Sequence, residues 1–384
     1  MKKQVSSVQV TGATGFQRRV IEGIPRIGYY QGGNNCPEDI PFPAVMRTLV
    51  RFLGEDWGVR TITSHGSSWY LDLAVTKFAA IGGCCFRFLW QIMESNGIDA
   101  EYAWDEPELP FARAFAAAGF SYRMLLNQDF APSWQGERLK DQAQALELIK
   151  DSIDAGTPVI ALGVVGPPEP CIITGYDEDG EVLTGWSYFQ HEMDRNPDLE
   201  FEPTGYFRKG KWFSNLYGLV LAGERVAKPH PAEICRDVLT WAVELMHTPR
   251  AGRFPAGFDA YSYWIEALLF PDTAPDKLPQ AMAILEPAIW DLAERRWYAA
   301  MYLEQMAVEL PQLRHQFLEA AKSFQAIHDL MWEVNGQLRK TEGDSGMESI
   351  ADPVVRRRII GIIKRARQYD LQGAEQLAKL AAAL

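Results

Sequence analysis

The chain has 384 residues, of which 47% are hydrophobic and 23% are charged, and this is a normal balance for a globular protein. The length is too great for one ordinary hydrophobic core, so we expect two domains. The formal net charge of -12 excludes an extended basic surface for nucleic acid or for an anionic membrane.

The N-terminus indicates the compartment. Met1-Lys2-Lys3 is followed by polar residues rather than by an apolar segment, so we expect no signal peptide and a cytoplasmic protein. The five cysteines show no pairing pattern and should stay reduced in that compartment. The longest apolar stretch, 71–93, contains charged residues and predicts a buried helix rather than a membrane span.

The first part of the chain has mainly helical patterns. After a strand-like segment at 8–10, the segment 43–53 has apolar residues at helical spacing, with a proline at its start and Gly54 after its end. Further helices are predicted within 71–95, at 111–118 and at 142–155.

Residues 158–222 change to strand patterns. Short runs of β-branched and apolar residues, bounded by Gly, Pro and Asp, predict strands at 158–163, 171–175, 181–184 and 216–221. Asp177-Glu-Asp-Gly180 separates two of these strands and predicts a hairpin turn. Helices followed by an antiparallel sheet indicate an α+β domain, with helices packed on the sheet.

Residues 226–231, Val-Ala-Lys-Pro-His-Pro, are typical of a linker, and strand patterns almost disappear after them. Helical periodicity occupies 232–249, 258–270, 276–309, 311–338 and 352–384. We therefore expect an α+β domain at 1–225 and an all-α helical bundle at 226–384. Within the bundle, the charged helix face at 294–298 predicts a solvated or salt-bridged surface.

One motif near the N-terminus suggests a nucleotide. Thr11-Gly-Ala-Thr-Gly15 matches the opening of a dinucleotide-binding loop. Arg18 stands near the place of the third glycine, and the chain contains no Tyr-x-x-x-Lys pair. A nucleotide-dependent oxidoreductase is therefore the third of three alternative functions, and the other two need no cofactor.

Gln31 and Cys36 precede the predicted helix 43–53, and the later segment Cys171-Ile-Ile-Thr-Gly-Tyr-Asp177 is followed by Trp186. In length and order these segments resemble the papain-like cysteine peptidase superfamily. They are most similar to its bacterial branch of butirosin biosynthesis protein H-like proteins and bacteriocin-leader peptidases. The resemblance implies a papain-like N-terminal domain that acts on an amide, ester or thioester, as a hydrolase or an acyltransferase.

The resemblance also implies roles for single residues. Cys36 would be the nucleophile near the start of the central helix, whose N-terminus lowers the pKa of a thiol. Gln31 or Asn35 would donate to the oxyanion. Glu169 or His65 would take up and return the proton. The substrate would be a small molecule, an acyl group or a peptide.

Two positions depart from the family pattern. Glu169 stands where the family has its histidine, and the family's Asn or Asp falls at Thr184 or Gly185. A rival interpretation is therefore a catalytically inactive homologue that binds a small molecule or peptide, with Glu169 as a buried acid. In both interpretations Cys171 and Trp186 lie beside the ligand. No spacing of His, Cys, Asp and Glu predicts a metal site, and the oligomeric state stays open.

Overall fold

The computed structural model describes residues 7–9, 17–27, 40–64, 67–90, 107–128, 134–192, 196–269, 276, 278–338 and 347–384. These residues form a mixed α+β structure, as the sequence predicts. No helix among them is both long and apolar enough to cross a membrane.

The contacts divide the chain into two compact units. The first unit comprises Met1–Phe78 and Asp105–Pro229, and the second comprises Ala79–Trp104 and His230–Leu384. The later boundary lies within the predicted linker at 226–231. The segment from Ala79 to Trp104 groups with the second unit, whereas the sequence analysis assigned it to the first domain.

The first unit contains a large sheet and a separate hairpin. The strands are β1 (Ser7–Gln9), β2 (Arg19–Ile21), β3 (Val59–Ser64), β4 (Ser67–Asp72), β5 (Phe120–Leu126), β6 (Glu137–Arg138), β7 (Val159–Gly163), β8 (Pro170–Asp177), β9 (Val182–Trp186), β10 (Glu200–Phe201), β11 (Phe207–Gly210) and β12 (Leu216–Arg225). The main sheet has the order β10-β11-β9-β8-β7-β12-β5-β6, and the β1–β2 pair joins it at β8. All its pairs are antiparallel except β5 with β6.

The predicted hairpin is confirmed. β8 and β9 pair antiparallel, and the connection between them is a single 3-10 turn at Glu178–Gly180. The strands predicted at 158–163, 171–175, 181–184 and 216–221 correspond to β7, β8, β9 and β12. The loop-like motif Thr11–Gly15 lies outside the described residues, and the short strand β2 follows it.

The described helices of this part of the chain are α1 (Pro41–Phe52), α2 (Leu73–Ile81), α3 (Leu109–Ala118) and α4 (Gln142–Asp154), and the last three residues of α2 belong to the second unit. The helix predictions at 43–53, 111–118 and 142–155 are confirmed. α1 packs against β8, α3 against β5, and α4 against β7 and β8. Every residue of α1 from Pro41 to Val50 is buried.

The helix predicted within 71–95 is shorter than expected. β4 extends to Asp72, whose carboxylate accepts a hydrogen bond from the Ala74 N–H at 2.9 Å and so caps α2. The helix ends at Ile81, before Gly83 adopts a left-handed backbone with φ of 80°. The hairpin of β3 and β4 was not predicted, because its Ser- and Thr-rich strands lack a continuous apolar face.

The second unit is almost entirely helical. After α5 (Pro231–His247) comes a small hairpin of β13 (Arg250–Ala251) and β14 (Phe254–Pro255), and then α6 (Gly257–Leu269), α7 (Leu278–Glu309), α8 (Arg314–Gln337), α9 (Met347–Ala351) and α10 (Pro353–Ala383). The five predicted helices of this half are confirmed. α7, α8 and α10 pack side by side, and α5 and α6 pack against α10.

The charged face at 294–298 is not a solvated surface. Arg296 is 1% exposed and forms a bidentate ion pair with Asp370, with nitrogen–oxygen distances of 2.8 and 2.7 Å. The Tyr261 hydroxyl donates to the same carboxylate at 2.8 Å. Arg296 also donates to the Cys85 carbonyl at 2.6 Å. A salt bridge therefore forms, as one of the two predicted alternatives had it, but it is buried rather than on the surface. The burial was missed because the partners of Arg296 are distant in sequence.

Candidate functional site

The predicted site residues divide into two groups. Four of them lie outside the described residues: Gln31, Asn35, Cys36 and His65. Three lie in the first unit, on or beside β8 and β9: Glu169, Cys171 and Trp186. The described residues of the predicted site thus lie around the turn that joins β7 to β8.

Glu169 is a buried acid at the end of this turn. Only 3% of the residue is exposed, and its carbonyl accepts a hydrogen bond from the Gly163 N–H at 3.0 Å. Its own N–H donates to the Pro167 carbonyl at 2.7 Å, which tightens the turn. β8 begins at the next residue, Pro170, so the backbone on both sides of Glu169 is fixed by hydrogen bonds.

The β7–β8 turn contains a strained residue. Gly163 and Gly166 have φ of 83° and 88°, which glycine adopts readily. Val164 between them has φ of 69°, which is rare for a β-branched residue and costs of order 1–3 kcal/mol. Its N–H donates to the Asn215 carbonyl at 3.1 Å and its side chain is buried, so the surrounding structure maintains the strain. Strain of this kind concentrates at functional sites.

A segment that follows β9 braces the turn through buried polar side chains. The Ser187 hydroxyl donates to the Val165 carbonyl at 3.2 Å, and the Gly166 N–H donates to the Asn196 side-chain oxygen at 3.3 Å. The Gln190 side-chain oxygen accepts from the Ser187 N–H at 3.0 Å. Together, four residues that are each at most 4% exposed form what we call the turn cluster: Glu169, Ser187, Gln190 and Asn196.

The register of β8 and β9 excludes the expected position of the third catalytic residue. Thr184 pairs with Gly175, and its hydroxyl lies 3.5 Å from that of Thr174 in the core. Gly175 is six residues beyond Glu169, or about 20 Å along an extended strand. Thr184 is therefore too far from Glu169 to orient a group there. The residues after β9, beginning with Ser187, lie at the end of the hairpin that is nearer to Glu169.

Cys171 is a core residue in the structure. It is fully buried, and burial raises the pKa of its thiol to about 12. The thiol donates to the Gly163 carbonyl at 3.3 Å. Cys171 is therefore protonated at neutral pH. Its thiol bonds to the backbone of the β7–β8 turn and does not act as a nucleophile.

Trp186 also packs inside the first unit. It is 6% exposed, and its indole N–H donates to the Ile24 carbonyl at 3.2 Å. Its ring meets Tyr206 edge to face, with centroids 4.9 Å apart, and the Arg26 guanidinium lies 5.8 Å from its centroid. The indole therefore fixes the end of β9 immediately before Ser187, which makes it a support of the turn cluster.

No protein-family model matches the chain. A comparison with curated proteins finds no similar sequence either. Within the described part of the chain, no group of three or more His, Cys, Asp or Glu residues is arranged to hold a metal ion.

His191 is the described imidazole nearest in sequence to the turn cluster. The Arg26 guanidinium lies 3.0 Å from its Nε2, and the ring stacks on Phe201 with centroids 5.6 Å apart. Since Arg donates, Nε2 accepts and the imidazole is neutral. Partial burial and the Arg26 charge both lower the pKa of His191. This imidazole is therefore engaged with Arg26 and does not substitute for the catalytic histidine that the family would carry.

Proposed function

We propose that the first unit is a papain-like module of a cytoplasmic bacterial protein, and that it binds a small molecule or peptide through Glu169 without cysteine catalysis. The single observation that carries this proposal is the buried acid in the strained β7–β8 turn, at the position where the family has its histidine. The buried central helix α1, packed against β8, supports the papain-like assignment.

The start of α1 supports binding over catalysis. In a papain-like enzyme, unpaired N–H groups at this helix end stabilise the thiolate and the oxyanion. α1 begins at Pro41, and Pro43 follows in the same turn, so two of its first three residues have no N–H group. The Ala44 N–H is bonded to the Ile40 carbonyl. The helix end thus offers few donors to a developing negative charge.

The chemistry of Glu169 indicates the class of ligand. A buried carboxyl group is stabilised by hydrogen-bond donors and by positive charge. A protonated amine supplies both kinds of stabilisation, whereas an amide N–H or an alcohol supplies only a donor and an ester supplies neither. The braced turn holds the carboxyl group in one geometry before the ligand arrives, which lowers the ordering cost of binding.

The Glu169→Gln variant is expected to lose the response to amines. In a thermal-shift assay, a panel of primary amines should raise the melting temperature of the wild-type protein, and matched alcohols and amides should not. The variant keeps the shape of the side chain but removes its charge, so the amine response should fall by about tenfold in affinity or more. Asp198→Asn, which changes an exposed carboxylate of the same unit, is the matched control.

The second candidate is a cysteine hydrolase or acyltransferase with Cys36 as its nucleophile. The observation that favours it is the position of Cys36, in the segment that leads directly into the buried helix α1. Gln31 or Asn35 would then donate to the oxyanion, and Glu169 or His65 would transfer the proton. For Glu169 to act as that base, burial would have to raise its pKa far above the ordinary value of about 4.3.

A further inference from the structure

The second unit carries two tryptophans on its surface that contact each other. Trp290 on α7 is 47% exposed and Trp332 on α8 is 41% exposed. Their rings meet edge to face, with centroids 4.8 Å apart and an interplanar angle of 89°. Large aromatic side chains that are exposed together are typical of protein-binding surfaces, where tryptophan is among the residues that contribute most to affinity.

One of the two rings is held by a hydrogen-bond relay. The Trp332 indole N–H donates to Nε2 of His328 at 3.0 Å. Because Nε2 accepts, the ring hydrogen is on Nδ1, which donates to the Ala293 carbonyl on α7 at 3.0 Å. Trp332 is therefore fixed to the backbone of the neighbouring helix. An exposed side chain that is ordered in advance loses little entropy when a partner binds.

The surroundings of the two rings are acidic. Residues three and four positions away are neighbours on a helix surface, and for Trp290 these positions include Glu286. For Trp332 they include Asp329 and Gly336, and neither tryptophan has a Lys or Arg at such a position. A side chain added at Gly336 would meet no atom within 4 Å. The patch thus combines exposed aromatic faces and carboxylates beside an open helix surface at Gly336.

We propose that this surface, which we call the tryptophan patch (Trp290, His328 and Trp332), binds a basic amphipathic segment of a partner protein. Arginine or lysine side chains of the partner would lie over the indole rings and pair with the carboxylates, while apolar side chains pack against the exposed ring edges. The proposal is independent of the function proposed for the first unit.

The test uses the full-length protein and three short synthetic peptides. The peptides share the same leucine positions and carry arginine, glutamine or glutamate at the others. Binding is measured by calorimetry and by tryptophan fluorescence at low and high salt. The arginine peptide should bind about tenfold more tightly than the glutamine peptide, and the glutamate peptide should not bind. Higher salt should weaken the arginine peptide only in part, because the aromatic contacts persist.

Single variants separate the patch from a general attraction to an acidic protein. Trp332→Ala and Trp290→Ala should each weaken the arginine peptide by about tenfold. Tyr263→Ala, at another exposed aromatic residue of the same unit, should leave binding unchanged. Asp329→Asn should weaken the arginine peptide and leave the glutamine peptide unaffected, which keeps the test valid if a tryptophan variant misfolds.

Two outcomes would overturn the proposal. Equal affinity of the arginine peptide for the wild-type protein and for both tryptophan variants would mean that the peptide binds elsewhere by charge alone. Self-association that disappears in Trp332→Ala, with no peptide binding at any salt concentration, would assign the patch to a second copy of this chain.

Discussion

The Arg296→Met variant is expected to lower the free energy of unfolding by about 3–5 kcal/mol. The substitution removes a bidentate ion pair at 2.8 and 2.7 Å and leaves Asp370 as a buried acid without its guanidinium partner. The Cys85 carbonyl loses a donor at the same time. Breaking a buried pair is costly because the remaining charge is desolvated without compensation. Urea denaturation of the full-length protein, followed by far-UV circular dichroism, measures the effect.

A matched surface pair controls this experiment. Lys322 and Glu319 form an exposed ion pair on α8, and Lys322→Met should change stability by about 0.5 kcal/mol or less. The double variant Arg296→Met/Asp370→Leu should recover much of the lost stability, because it removes both charges. A cost for Arg296→Met no larger than that for Lys322→Met would contradict the central position of this pair in the second unit.

The Gly163→Ala variant is expected to destabilise the first unit by about 2–5 kcal/mol. Gly163 has φ of 83°, so alanine would be strained there. The added methyl group would also collide with the backbone oxygen of Asn215, which cannot move as a side chain can. Since Gly163 also bonds to the Glu169 carbonyl, the response to amines should be lost together with stability.

Gly23 provides the comparison for the backbone strain alone. Its φ is 74°, close to that of Gly163, but a side chain added there would meet no atom within 4 Å. Gly23→Ala should therefore cost only about 1 kcal/mol, from the left-handed backbone. Thermal unfolding of both variants gives the difference, and equal costs would refute the claim that the β7–β8 turn is closely packed.

Most helices and strands were predictable because their ends are marked in the sequence. Pro41 and Gly54 enclose α1, and Asp177–Gly180 separates β8 from β9. The early end of α2 was missed because it depends on Gly83, whose added side chain would meet Leu245 in the second unit at 2.7 Å. Contacts over such a sequence distance leave no local pattern, and the same applies to the ion pair of Arg296.

The candidate site was predictable only in part. Glu169 drew attention because it stands where the resemblance implies a histidine. Ser187, Gln190 and Asn196 were missed because the third residue was placed by family spacing. Counting the paired residues of β8 and β9 outward from their turn would have shown that Thr184 lies opposite Gly175. The same count places the residues nearest to Glu169 after Trp186, beyond the end of β9. The exposure of single side chains, such as Trp186, does not follow from residue type.

The reactivity of Cys36 tests the central claim most directly. The four described cysteines are all buried, so iodoacetamide added to the native protein reports on Cys36, with Cys36→Ser as the blank. We expect slow alkylation at neutral pH. The alkylation rate should increase with pH as an ordinary thiol ionises, with a pKa of about 8.5. An enzyme would give a different result: alkylation would be rapid below neutral pH, and Glu169→Gln or His65→Gln would slow it. The protein would also hydrolyse thioesters, and Cys36→Ser would abolish that activity.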